Sequence, residues 1–312
     1  MKNILVAVDG SQQSLAAVRF TAGIFDPEQI EIVLLMVMNR MPEAYFDVAR
    51  SHCNGYYGSA LPFVDFFHQR ESEAEEFMTR AKRIFLDAGF SSDAVRAHIQ
   101  YRKQGVARDI LARAKREKFR AIIVGRTGRS KFKDFMLGST AHKIIEQISD
   151  VPVWTIGGAP ATDRILAAVD ASKTGYRILD YIAEMFAGRN ISITLFHAAR
   201  ELDSCRNKRK QLFDEQDEEK WHQLIENKMR FIFDEAILRL VRAGINRDNI
   251  SIKLAQKVAS RAAAIIQEAR TGLYGTIIAG RKGLTQANGF MMGRVSTKLI
   301  QNARDMAVCI VN

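Results

Sequence analysis

The sequence predicts an α/β protein of two tandem domains, each a doubly wound parallel sheet with helices on both faces. Three observations carry this. Short apolar, β-branched runs alternate with segments of helical spacing along the whole chain, the pattern of βαβ units. A glycine motif occurs twice. Ala121-Ile-Ile-Val-Gly125-Arg126-Thr127-Gly128 leads to Gly138-Ser139-Thr140, and Ile277-Ile-Ala-Gly280-Arg281-Lys282-Gly283 leads to Gly293-Arg294. Gly280 and Gly293 both lie 155 positions after their first-copy counterparts, and one offset shared by a whole motif marks an internal repeat. Finally, Arg164-Ile-Leu-Ala-Ala-Val-Asp170-Ala-Ser172 echoes the start of the chain, Lys2-Asn-Ile-Leu-Val-Ala-Val-Asp9-Gly-Ser11.

The elements follow in order. Lys2 to Val8 reads as the first strand, ended by Asp9-Gly10-Ser11, with Ser11 placed to cap a helix. Leu15, Val18 and Ala22 share the face of that helix, and Gly23 lies near its end. Glu31 to Met38 is almost wholly apolar, as a central strand covered on both sides must be. Asn39 to about Phe66 reads as irregular, with Pro42, Gly55, Gly58 and Pro62 among Tyr45, Phe46, Tyr56, Tyr57, Phe63 and Phe66. It is either a lid or binding element or a packed surface excursion. Phe67 to Ala88 has helical spacing closed by Gly89, Val95 to Tyr101 alternates as a strand, and Val106 to Lys118 is helical. Ala121 to Val124 is the fourth strand and Thr140 to Ile148 the helix after it. Val151 to Ile156 closes the half, and Pro152 places this strand at a sheet edge.

Residues 1–157 thus form the first domain, 158–163 (Gly158-Ala159-Pro160 and on) a linker, and 164–312 the second. There the order repeats. Ile178 to Phe186 is a helix, Ile191 to Ala198 a strand, Leu212 to Val241 a long helix and Ile250 to Ala255 a strand. Ala259 to Arg270 is a helix, the second glycine loop leads into a helix at Val295 to Asn302, and Met306 to Val311 is the closing strand. The charge runs at 206–210 and 214–219 read as a solvated face and helix start.

Composition bounds the function. A chain of 312 residues with 47% hydrophobic and 26% charged residues suits about two globular domains. No apolar run approaches the length that spans a bilayer, and Asp9 interrupts the N-terminal run before it resembles a signal peptide. Three distant cysteines, Cys53, Cys205 and Cys309, suit neither a disulfide framework nor a zinc site, and point to a reducing cytoplasm. The net charge of +11 is spread over both halves. It reads as a solvated surface rather than a nucleic-acid footprint. His52 and His68 lack metal-ligand spacing, so no metal is expected there.

The glycine motif suits phosphate. Glycines let backbone N–H groups approach a ligand closely, and the free N–H groups and dipole of a helix start favour an anion. Ser139 can cap the helix or donate to a phosphate oxygen. A strand-to-helix loop with a capped helix would have the same residues. No nucleophile–base pair, carboxylate dyad or metal cluster stands out, so no catalysis beyond slow ATP hydrolysis is expected.

The strand ending Val-Asp-Gly-Ser, the apolar second strand, the Gly-x2-Gly-x9-Gly-Ser motif and the closing Val-Pro-Val strand together resemble the universal stress proteins, in their tandem-domain form. The resemblance implies a Rossmann-like five-stranded sheet in the order 3-2-1-4-5, of the adenine-nucleotide alpha hydrolase-like type. In the nucleotide-binding branch it implies ATP, with Mg2+ as a companion, across the carboxyl edge. Asp9 then approaches the ribose or adenine end and Val37 meets adenine through its backbone. Gly125, Arg126, Gly128, Gly138, Ser139 and Thr140 hold the phosphates. The second site would comprise Asp170, Ala198, Gly280, Gly283, Gly293 and Arg294. Arg294 replaces Ser139 there, and either pairs with phosphate or closes the pocket against Asp170. The resemblance also implies that strands 151–156 and 306–311 pair edge to edge around a pseudo-twofold axis.

Two functions remain in contest. One is an ATP-binding stress sensor or switch acting on an unknown protein partner. The other is a scaffold that holds no nucleotide and takes another small ligand near residues 39–66. A dehydrogenase would need Gly-x-Gly-x-x-Gly after its first strand, which is not present.

Overall fold

The computed structural model describes residues 1–39, 61–128, 137–148, 150–201, 215–283 and 292–312. The aromatic residues at 45–57, His52, Cys53, Cys205, the basic residues Arg129, Lys131 and Lys133 of the first glycine loop, and the charge run 206–210 lie outside them.

The first half runs β1 (Lys2–Val8), α1 (Gln12–Ile24), β2 (Ile30–Met38), α2 (Leu61–Asp87), β3 (Val95–Tyr101), α3 (Val106–Glu117), β4 (Ala121–Gly125), α4 (Ser139–Gln147) and β5 (Val153–Ile156). The second half repeats it as β6 (Arg164–Ala168), α5 (Lys173–Phe186), β7 (Ser192–Arg200), α6 (Glu215–Arg242), β8 (Ile250–Val258), α7 (Arg261–Thr271), β9 (Thr276–Gly280), α8 (Arg294–Asn302) and β10 (Ala307–Val311). Helix α2 begins at Leu61, inside the stretch the sequence reads as irregular to Phe66. Pro62 falls in its first turn, where a missing N–H costs nothing.

All ten strands form one sheet in the order β3-β2-β1-β4-β5-β10-β9-β6-β7-β8. Each half therefore has the order 3-2-1-4-5, and the strands within a half are parallel. The register reproduces the sequence repeat. Ile4 pairs with Ile32 and Ala121, and Ile165 with Ile193 and Thr276.

The halves meet where β5 and β10 pair antiparallel, with Trp154 opposite Cys309. Contrary to the reading of Pro152, β5 is thus interior, held by β4 on one side and β10 on the other. The proline lies just outside the strand, and its carbonyl accepts from Ile122 N–H at 3.0 Å. This pairing buries one edge of each half and leaves β3 and β8 as the edges of the joint sheet. Helices α1, α2, α5 and α6 cover one face of the sheet and α3, α4, α7 and α8 the other. Each resulting apolar layer runs through both halves.

At the centre of the first layer, fully buried Trp154 lies among Phe20 and Phe25 of the first half and Tyr181 and Phe186 of the second, with centroid separations of 5.6–6.5 Å. Its indole N–H donates to Tyr181 Oη at 2.8 Å, which satisfies the one polar atom such a ring must bury. Burial pushes the Tyr181 phenol and the Cys309 thiol well above their usual ranges. The connection between halves is packed. Gly157 N–H donates to Met306 O at 3.1 Å, and a Cβ at Gly157 would lie 1.8 Å from Arg304 O, so only glycine fits.

Candidate functional site

The site forms at the carboxyl edge of the first half. Asp9 follows β1, and Gly10 turns the chain with φ +80°. Asp9 Oδ1 accepts from Ser11 N–H at 3.0 Å, and Ser11 Oγ caps α1 by accepting from Ser14 N–H at 3.1 Å. The carboxylate is thereby fixed at the strand end. The glycine loop after β4 is held at its base. Arg126 N–H donates to Ile156 O, and Arg126 O accepts from Gly138 N–H, both at 2.8 Å.

The loop and Asp9 then close on each other. A Cβ on Gly128 would stand 2.6 Å from Asp9 Oδ2, and a Cβ on Gly138 would stand 3.2 Å from Arg126 O and 3.8 Å from Gly128 N. A side chain at Gly128 would have to displace the Asp9 carboxylate, and one at Gly138 would press on the loop backbone at Arg126. Gly138 is the N-cap of α4, with extended backbone, and has no side chain to cap it. Ser139 and Thr140 occupy the first turn, exposed and half-buried respectively. The first-turn N–H groups thus open beside Gly128, and the helix dipole adds positive potential there.

Val37 also reaches this edge. Met36 pairs with Val8, so Val37 stands level with Asp9 on the neighbouring strand, half-buried against the second core layer. The carboxylate of Asp109, which sequence reasoning missed, shapes the same edge. It is buried and accepts from Lys103 N–H at 2.7 Å and Gln104 N–H at 3.1 Å, bracing the turn after β3.

Arg126, which the resemblance implies for phosphate, reaches across the seam. Its side chain is 4% exposed and turns away from the loop's glycines. The guanidinium donates to Ile300 O and, at 2.7 Å, to Gln301 O, at the carboxyl end of α8 in the other half. Arg281 reciprocates. It is 6% exposed and donates to Ile145 O at 2.7 Å, Glu146 O at 3.1 Å and Ile148 O at 2.6 Å, at the end of α4. Each glycine loop therefore sends one arginine across the seam to cap the helix that follows the opposite loop. Helix ends carry unpaired carbonyls and partial negative charge, which a planar fork of donors suits. Burial lowers both guanidinium pKa values. The repeat held the signal: an arginine at the same place in both copies, where Ser139 and Arg294 differ, serves something the copies share.

The second half repeats the frame. Asp170 Oδ1 accepts from Ser172 N–H at 3.1 Å, and a Cβ on Gly283 would lie 2.9 Å from Asp170 Oδ2. Gly293 is the N-cap of α8. The lining differs. Arg294 stands exposed in the first turn, Ala198 is buried, and His197 occupies the place of Met36. The His197 ring bonds Val169 O through Nδ1 at 2.8 Å. Burial lowers its pKa, partly opposed by that carbonyl and by Asp170.

The family model of the Universal stress protein family matches residues 58–157 and again 161–310. The chain belongs to the universal stress protein family. It is a tandem member, with two such domains in one sheet. Universal stress protein YxiE of Bacillus subtilis (strain 168) is 30% identical over 151 residues, 48% of this chain and 95% of that protein. A universal stress protein of Archaeoglobus fulgidus DSM 4304 shares the fold over 99% of this chain and 98% of its own, with a TM-score of 0.64 and 18% identity. A universal stress protein of Archaeoglobus fulgidus, solved in complex with dAMP, matches 49% of this chain and 95% of its own at 20% identity and a TM-score of 0.31. Among the described residues, no helix is long and apolar enough to cross a membrane.

Proposed function

We propose that this universal stress protein is a nucleotide-responsive switch whose first half binds ATP. The observation that carries the reading is the junction of Asp9, Gly128 and the glycine-capped start of α4. It combines an acceptor for ribose or adenine donors with a row of backbone donors for phosphate. Asp9 and the backbone of Val37 orient the nucleoside. Gly125, Gly128, Gly138, Ser139 and Thr140 receive the phosphates, with N–H groups and two hydroxyls as the donors. This donor set fits a polyphosphate, and Mg2+ would bridge phosphate oxygens. The two terminal nitrogens of Arg126 are directed across the seam to Ile300 O and Gln301 O, so this reading does not count its guanidinium among the phosphate donors.

The second half keeps the acid and the glycines but places Arg294 at the first turn, where its charge favours an anion of any kind. ATP held at the carboxyl edge would bias the glycine loop and, through it, the surface offered to a partner.

Titration calorimetry with ATP and Mg2+ tests this reading. Binding at one site per chain is expected. It should weaken at least tenfold when Ser139→Ala and Thr140→Ala are combined, because two phosphate donors are lost. Heat of binding absent from the wild type, or unchanged in the double variant, would refute the reading and favour the scaffold.

A further inference from the structure

Helix α6 carries a surface that the fold does not need. It packs inward through Met229, Ile232, Phe233, Ala236 and Leu240, all buried. Its outward face carries Leu224, Phe231 and Leu238, which are 62%, 69% and 58% exposed. A spacing of seven residues is close to two helical turns, so the three form a straight apolar stripe. The internal repeat supplies the control. Helix α2, 155 positions earlier, packs inward in the same way through Ala74, Phe77, Met78, Ala81 and Phe85. Its outward residues at the matched positions are Gln69, Glu76 and Arg83, all exposed. Polar residues therefore suffice for this helix in this fold, and the stripe on α6 marks an interaction surface.

We infer that the partner is a second copy of this chain, with the two α6 helices packed antiparallel about a twofold axis at Phe231. The stripe reads the same in both directions, Leu–Phe–Leu at equal spacing. An isologous contact thus sets Phe231 on Phe231 and Leu224 on Leu238 of the second copy. The flanking charges agree with this register. Lys228 falls beside Glu235 of the second copy, Asn227 beside Asp234, and Trp221, itself 39% exposed, beside Arg242, a cation–π pairing. A parallel pairing would instead set Glu235 beside Asp234 of the second copy on both flanks, a repulsion that selects against it. This surface lies away from the β5–β10 seam, so the dimer leaves the intramolecular pairing intact. It does not depend on nucleotide.

Sedimentation velocity of the full chain over a concentration series tests the inference. The 35.2 kDa chain should double in mass reversibly, at concentrations on the order of tens of micromolar for a small interface. Combining Leu224→Gln, Phe231→Glu and Leu238→Arg installs the first half's residues, and should hold the chain monomeric with an unchanged circular dichroism spectrum. In a chain carrying Cys53→Ser and Cys205→Ser, Phe231→Cys should form a disulfide-linked dimer on mild oxidation, whereas Leu224→Cys alone should not. Its image would lie about 21 Å along the helix pair, at the position of Leu238. A wild type that stays monomeric throughout, or a triple variant that still dimerises, would overturn the proposal. Self-linking of Leu224→Cys would overturn the antiparallel register. A monomeric wild type that instead captures an amphipathic helical peptide would overturn the second copy as occupant.

Discussion

Replacing Arg281 with Met removes the clamp from the second half to α4 while keeping the length and apolar stem of the side chain. Three charge-assisted hydrogen bonds to Ile145 O, Glu146 O and Ile148 O are lost. Each such bond contributes about 1.5–3 kcal/mol net, and the desolvation of a guanidinium at 6% exposure offsets part of that gain. Deletion leaves three helix-end carbonyls without this donor at a closed seam. The expected loss is about 3 kcal/mol, which corresponds to a fall in Tm of about 5 °C for a chain of this size.

Guanidinium unfolding followed by circular dichroism and tryptophan fluorescence, from buried Trp154 and part-exposed Trp221, measures it. Both probes should move together, because the two halves share one sheet. Arg281→Lys should recover no more than half of the loss, since a single ammonium cannot span three carbonyls. Arg294→Met, on the exposed first turn of α8, should stay within about 0.5 kcal/mol of the wild type. A value for Arg281→Met that close to the wild type would refute the account of the crossed arginines.

Three further outcomes follow from the same structure. Trp154→Ala removes the ring that joins the aromatic residues of both halves, and should cost about 3–5 kcal/mol in chemical unfolding. Gly128→Ala places a methyl 2.6 Å from Asp9 Oδ2. The carboxylate can swing aside, so stability should change by less than about 1 kcal/mol while ATP binding, by calorimetry, falls at least tenfold. His197 has a folded pKa below its usual 6.5, with burial as the main cause. The unfolded chain therefore takes up the proton first, and stability falls as pH drops below 6.5. His197→Asn should flatten the decline in Tm between pH 7.5 and pH 5.

Much of this architecture is legible in the sequence. The strand bounds follow from runs such as Glu31 to Met38, where unbroken apolarity signals burial on both faces. The repeat reappears as matched register, with Ile4 beside Ala121 and Ile165 beside Thr276, and Thr276 keeps the 155-residue offset from Ala121. The pairing of the two closing strands, expected from the resemblance, is present at residues 153–156 and 307–310. What misled was local chemistry with distant partners. Arg126 sits in a basic glycine loop, yet its bonds go to Ile300 and Gln301, and nothing in the loop itself names them. Pro152 suggested an edge because the limit of the strand, one residue later, cannot be read from the proline alone. Nothing in the sequence singles out Asp109, whose carboxylate holds the turn at Lys103 and Gln104. The outward stripe on α6 becomes visible only when the repeat is aligned and burial separates Met229 from Phe231.

The central claim is that the first half holds an adenine nucleotide. It is tested most directly by purifying the protein without added nucleotide, denaturing it, and counting what is released by chromatography and mass spectrometry. One ATP per chain, lost in the Ser139→Ala and Thr140→Ala double variant, is the expected result. Two per chain would show that Arg294 serves as a phosphate ligand in the second half. No nucleotide released, together with no binding when ATP and Mg2+ are supplied, would contradict the claim.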